Sequence, residues 1–126
     1  MVVDDDADVR QGLSAILGSA GHKVSTCASG LEALKSLGIQ PNDDSVDLPD
    51  LMVLDIMMPK SDGYVVGTAI RGNTRTRGIP ILVVSALPQM SRLFTATLPV
   101  DGFLTKPFDP KRLIDVVAKL IGKRPA

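Results

Sequence analysis

Four short apolar runs, each stopping on an acid, a hydroxyl or an amine, constrain this chain more than any other feature. Val2-Val3 stops on Asp4-Asp5-Asp6, and Leu51-Met52-Val53-Leu54 stops on Asp55. Ile81-Leu82-Val83-Val84 stops on Ser85, and Phe103-Leu104-Thr105 stops on Lys106-Pro107-Phe108. The third-strand candidate, Asp50–Leu54, is apolar at every position after its first. A strand buried on both faces reads this way, and such strands belong to parallel sheets covered by helices. In an open parallel sheet the ligand crevice lies at the carboxyl ends of the strands. Acids, a hydroxyl and an ammonium would then meet at one point.

The stretches between these runs support a parallel sheet. A first helix is expected with Val9, Leu13, Ile16, Leu17 and Ala20 on one face, ended by Gly21. Lys23–Cys27 reads as a second strand, and Ser29 as the cap of a helix carrying Leu31, Leu34 and Leu37. A polar loop, Gly38 to Pro49, leads to the third strand. Asp55–Gly63 is a loop rich in Met, Pro and Gly, followed by a short helix over Tyr64–Arg71 with Val66 and Ile70 on one side. Arg71–Pro80 is a basic connection into the strand Ile81–Val84. Pro88–Leu98 is a weak fourth helix, and Gly102–Thr105 is the fifth strand. Asp109 can cap a last helix with Pro110 in its first turn, burying Leu113, Val116, Val117 and Leu120. Strand–helix alternation repeated five times predicts βαβ units with helices on both faces. The expected fold is α/β, a flavodoxin-like (βα)5 doubly wound sandwich with a five-stranded parallel sheet of order 2-1-3-4-5.

Composition narrows the function classes. The 126 residues suit one domain, expected over 1–121, with 122–126 a tail or the start of a linker. Fourteen basic and fourteen acidic residues balance to zero, so nothing predicts direct nucleic-acid contact from these residues. A lone cysteine, Cys27, excludes an internal disulfide, is expected in the core, and points to a cytoplasmic location. No apolar run approaches the ~20 residues of a membrane span.

The chemistry of the strand ends is specific. The Asp55 carboxylate can attack phosphorus and form an acyl phosphate. Asp4 and Asp5 can hold a hard cation beside it. Mg²⁺ takes oxygen ligands in octahedral geometry, from few carboxylates plus waters and phosphate. Asp4, Asp5, Asp55 and a backbone carbonyl of the following loop make such a site. Lys106 offers a mobile point charge, Ser85 a hydroxyl for a phosphoryl oxygen, and Ala86 room for the ligand. Each residue also has a plainer reading. Asp4–Asp6 can cap the first helix, Asp55 can open a turn, Ser85 can finish a strand, and Lys106 can be solvated. Four strand ends that each finish in the required chemical type favour the phosphoryl site.

Those residues match a family. Val-Val-Asp-Asp-Asp at 2–6, Pro-Asp-Leu-Met-Val-Leu-Asp-Ile-Met-Met-Pro at 49–59, Asp-Gly at 62–63, Ser-Ala at 85–86 and Lys-Pro-Phe at 106–108 resemble the receiver domain of two-component response regulators. The resemblance covers essentially the whole chain. It implies Asp55 as phosphoacceptor and Asp4 and Asp5 as the acidic pair for Mg²⁺, with Met57 lending its backbone carbonyl. It implies Ser85 as the switch hydroxyl, Lys106 as the family's lysine, Phe103 as the switch aromatic, and a cis peptide bond before Pro107. The implied partner is a sensor histidine kinase or a histidine phosphotransfer domain. The implied output surface is the face of the fourth helix, the fifth strand and the last helix, through which a homodimer could form. Departures from the family pattern are the short first strand, the long 38–49 loop, Leu98-Pro99-Val100 before Asp101-Gly102, and Phe rather than Tyr at 103.

Other functions fit less well. A pseudo-receiver, a protein-binding module independent of phosphorylation, predicts loss of an acid, the hydroxyl or the lysine, and all are present. A phosphatase of the haloacid-dehalogenase type needs an acid two residues after its nucleophile, where Met57 stands. A flavin carrier needs a phosphate-cradling loop after the first strand, where Asp4–Asp6 would repel phosphate. On the last helix, Ile114 and Ile121 are expected to complete the core stripe rather than a dimer contact.

Overall fold

The computed structural model describes residues 1–55, 62–85 and 100–122, with only the backbone of 62–64 and 85. Five parallel strands make one sheet: β1 (Val2–Val3), β2 (Thr26–Cys27), β3 (Met52–Asp55), β4 (Ile81–Ser85) and β5 (Gly102–Thr105). Their order is β2-β1-β3-β4-β5, the doubly wound arrangement the alternation predicts. The described helices are α1 (Ala7–Ser19), α2 (Gly30–Ser36), α3 (Asp62–Gly72) and a C-terminal helix (Pro110–Gly122). The expected helix over Pro88–Leu98 lies outside the described residues, as does the tail from 123. Among the described residues no helix is long and apolar enough to cross a membrane.

Strand periodicity divides the core in two. Val3, Met52, Leu54, Ile81 and Val83 face one way and pack with Ala33 and Leu37 of α2 and Val66 and Ile70 of α3. Val2, Val53, Leu82, Val84 and Leu104 face the other way, against Leu13 and Leu17 of α1 and Leu113, Val117 and Leu120 of the C-terminal helix. Successive strand residues thus bury on opposite faces, which is why the strands read as unbroken apolar runs. Cys27 is buried in the first of these cores, as expected.

Several boundaries and faces differ from expectation. β2 begins at Thr26 rather than Lys23, and α3 begins at Asp62 rather than Tyr64. Asp62-Gly63 reads as a turn, but aspartate also suits a helix N-terminus, where its charge opposes the macrodipole. Leu31 is 69% exposed. The buried face of α2 is Gly30, Ala33 and Leu34, continued by the C-cap residue Leu37, and Leu31 lies about 100° round the helix from Gly30. Ala20 is exposed and Val116 only half-buried, at the edges of their stripes. Ile121 packs against the second core.

The 38–49 segment is not a loose linker. Gly38 turns the chain at φ +69°, and its carbonyl accepts from Asp43 N (2.8 Å) and from Arg75 Nη2 (2.9 Å). Arg75 also pairs with Asp44 at 3.0 Å. Ile39 and Leu48 rest against the first core.

Two glycines with positive φ separate backbone strain from crowding. A methyl at Gly21 (φ +93°) meets nothing within 4 Å, whereas one at Gly38 meets the Asp43 carbonyl oxygen and Val46 Cγ2. Gly21→Ala is expected to cost about 1–2 kcal/mol, the left-handed penalty alone. Gly38→Ala is expected to cost about 3 kcal/mol or more, since overpacking adds to that penalty. Urea midpoints of the two variants check the ranking.

Candidate functional site

The three consecutive aspartates are given different work by the end of β1. Asp6 is the N-cap of α1: its Oδ1 accepts from Asp8 N (2.9 Å) and Val9 N (3.3 Å). Asp4 extends the strand pairing, donating its N–H to the Cys27 carbonyl at 3.1 Å, and is 1% exposed. Its Oδ1 accepts from Asp6 N at 2.9 Å. Asp5 is exposed between them. The helix-cap reading therefore holds for Asp6, while Asp4 and Asp5 do not cap α1.

Asp55 closes β3 and is buried, because β1 and β4 flank its strand on either side. Asp4, Asp5 and Asp55 each offer a carboxylate oxygen, and these oxygens lie within 4.8 Å of one another. Lys106, just beyond β5, places Nζ 3.4 Å from Asp4 Oδ2 and 3.4 Å from Asp55 Oδ2. The Lys106–Pro107 peptide bond is cis, as the resemblance implies. Charge-assisted N–H···O contacts usually close to about 2.7–2.9 Å. The ammonium thus sits between two acids without a tight bond to either, able to move toward a third anionic group.

Among the described residues the pocket holds more acids than bases. Burial pushes the Asp4 carboxyl above its ordinary value; the Asp6 N–H bond and Lys106 oppose this, and the neighbouring Asp55 charge reinforces it. When ionised, three carboxylates against one ammonium leave two negative charges to be matched. The donors are hard oxygens at a separation one small ion can bridge. This set fits Mg²⁺, which prefers oxygen ligands and uses few carboxylates.

The other expected site residues are placed in part. Ser85 ends β4 in register with Thr105 of β5; its hydroxyl, Met57 and Ala86 lie outside what is described. Phe103, in register with Val83, is half-buried against the core on the α2–α3 side of the sheet. Sequence reasoning missed Arg10. Its Nη1 donates to the Asp4 main-chain carbonyl at 2.7 Å. The only signal was an arginine six residues after the acid, and nothing in that spacing says the side chain turns back.

The fold and site define an α/β signalling-domain class: a doubly wound parallel sheet with an acidic pocket at its strand ends and a lysine beside it. A family model described as "Response regulator receiver domain" matches residues 1–118. The "Probable transcriptional regulator ycf27" of Guillardia theta is 38% identical over 90% of this chain and 41% of its own length. The "DNA-binding dual master transcriptional regulator RpaA" of Synechocystis sp. is 33% identical over 96% of this chain and 48% of its own. Response regulator TrrA of Thermotoga maritima, solved with Mg²⁺-BeF, superposes with a TM-score of 0.76 at 30% identity, covering 94% of this chain and 95% of TrrA. The chain belongs to the receiver-domain family of two-component response regulators. It spans about half the length of the curated relatives it matches.

The raised Asp4 value has a consequence with a definite sign. A carboxyl whose folded pKa lies above its unfolded value binds protons preferentially in the folded state, so its ionisation costs stability as pH rises through that interval. Asp4→Asn removes the charge and keeps the acceptor for Asp6 N. The metal-free variant is expected to be more stable than the metal-free wild type at pH 7. It is also expected to gain less thermal stability from added Mg²⁺ than the wild type does. Thermal unfolding with Mg²⁺ and with a chelator measures both effects.

Proposed function

We propose that this domain accepts a phosphoryl group on Asp55 from a phosphohistidine of a sensor histidine kinase or phosphotransfer domain. The single observation that carries the reading is the convergence of Asp4, Asp5, Asp55 and Lys106. An Asp55 oxygen bonds to phosphorus as the phosphorus–nitrogen bond breaks and the imidazole leaves. The obstacle is an anion approaching an anionic donor. Asp4, Asp5, Asp55 and the Met57 carbonyl would hold Mg²⁺, which would supply Lewis-acid neutralisation of the phosphoryl oxygens. Lys106 follows the charge from the carboxylates to the new phosphoryl oxygens.

The same reading makes Ser85 and Ala86 part of the phosphoryl pocket. The Ser85 hydroxyl moves toward a phosphoryl oxygen, and Phe103 turns into the space vacated. Phosphorylation then favours one of two arrangements of the face formed by the fourth helix, β5 and the C-terminal helix, by the free-energy difference it creates between them. On this reading residues 1–121 are the receiver, and 122–126 a tail or the start of a linker. The relatives' names support a role in transcriptional control for the whole protein, with homodimerisation through the output face as one route. The domain itself is a signalling module whose chemistry is its own phosphorylation and dephosphorylation.

Incubation with acetyl phosphate or phosphoramidate and Mg²⁺ is expected to add one phosphoryl mass to the wild type and none to Asp55→Asn. A wild type that gains no phosphate under these conditions favours the phosphorylation-independent binding module. Lys106→Ala is expected to accept phosphate slowly, yet to show none of the change in amide exchange across β5 and the C-terminal helix seen in the phosphorylated wild type. An unaltered exchange response in that variant removes Lys106 from the coupling.

A further inference from the structure

We propose that Arg10 is a positioning residue for the cation pocket, acting on the peptide that joins its two β1 acids; this rests on the Mg²⁺ reading above. The Asp4 carbonyl belongs to the peptide unit linking Asp4 to Asp5, and Arg10 Nη1 grips it at 2.7 Å. The preceding peptide is held by the Asp4 N–H bond to Cys27 (3.1 Å), and the following one by the Asp6 N–H bond to Asp4 Oδ1 (2.9 Å). Asp6 is in turn fixed as the cap of α1. Arg10 therefore completes the restraint on three successive peptides, and those peptides set where Asp4 and the exposed Asp5 point. Arg10 is half-buried and comes from α1, so packing of α1 on the sheet is transmitted to carboxylate direction. A guanidinium suits this role because it is permanently charged, and its planar fork holds a direction that a flexible ammonium does not.

Simple electrostatics predicts the opposite outcome from positioning. Deleting a cation bonded to the main chain of the acidic pocket should tighten binding of a dication. Deleting a group that orients ligands should weaken it, typically about 10- to 100-fold for residues that support metal ligands. The test is Mg²⁺ titration by calorimetry on the wild type, on Arg10→Met, which keeps the aliphatic stem, and on Arg10→Lys, which keeps the charge. Arg10→Met is expected to bind Mg²⁺ about tenfold more weakly, with Arg10→Lys recovering only part of the loss. Phosphorylation of Arg10→Met by phosphoramidate is expected to need more Mg²⁺ but to reach a near wild-type rate at saturation. Unchanged or tighter Mg²⁺ binding in Arg10→Met overturns the proposal, as does a rate deficit that saturating Mg²⁺ does not repair. If Arg10→Met does not fold, the decision falls to Arg10→Lys: full wild-type affinity there shows that charge alone suffices and overturns the positioning role. A wild type that binds no Mg²⁺ overturns the metal reading itself, whereas equal binding by wild type and variant overturns only the role of Arg10.

Discussion

Coverage of the sheet on both faces is the constraint from which the rest of this domain follows. With helices on either side, the interior of each strand has no place for a polar side chain. Chemistry can appear only where a strand stops. Because the strands are parallel, those stops lie along one edge of the sheet, and the residues there come from distant parts of the chain. Lys106 lies 51 positions from Asp55 and 102 from Asp4 in sequence, yet within reach of both. The same layering that excludes water from the core raises the cost of the Asp4 charge, so fold and reactivity share one cause.

Charge balance at that edge explains why such a site fits a hard divalent cation. A buried carboxylate without a partner is costly, and one ammonium does not offset three acids. The pocket is stable enough to exist and poor enough in positive charge to favour whatever brings more. Lys106, held at 3.4 Å from two carboxylates, is committed to neither. An arriving anion and a counter-ion would redistribute these contacts without moving the sheet. Arg10 differs in kind, because it spends its charge on a main-chain carbonyl and so acts on geometry rather than on balance.

Legibility was uneven for physical reasons. β3 and β4 were clear because burial on both faces leaves no polar residue to interrupt the pattern. β2 was overextended, since Lys23–Cys27 has strand-like composition but only Thr26 and Cys27 pair with β1. Leu31 was misplaced because a seven-residue helix offers barely two turns, too few for its stripe to be read. The 38–49 loop looked polar and open. Its anchoring depends on Arg75, which is distant in sequence and is brought to it by the packing of α3 beside α2.

Residue types and their order along the chain determined the alternation of strands and helices, the strand ends that carry chemistry, and hence the family. Those properties are local, because apolar periodicity and turn chemistry act over a few residues. Which aspartate caps a helix and which faces the pocket was decided by tertiary structure. So were the 3.4 Å spacing of Lys106 from its two acids and the return of Arg10 to the Asp4 carbonyl. Each of these depends on where one element lies against another, and that is set by the packing of two cores rather than by any segment alone.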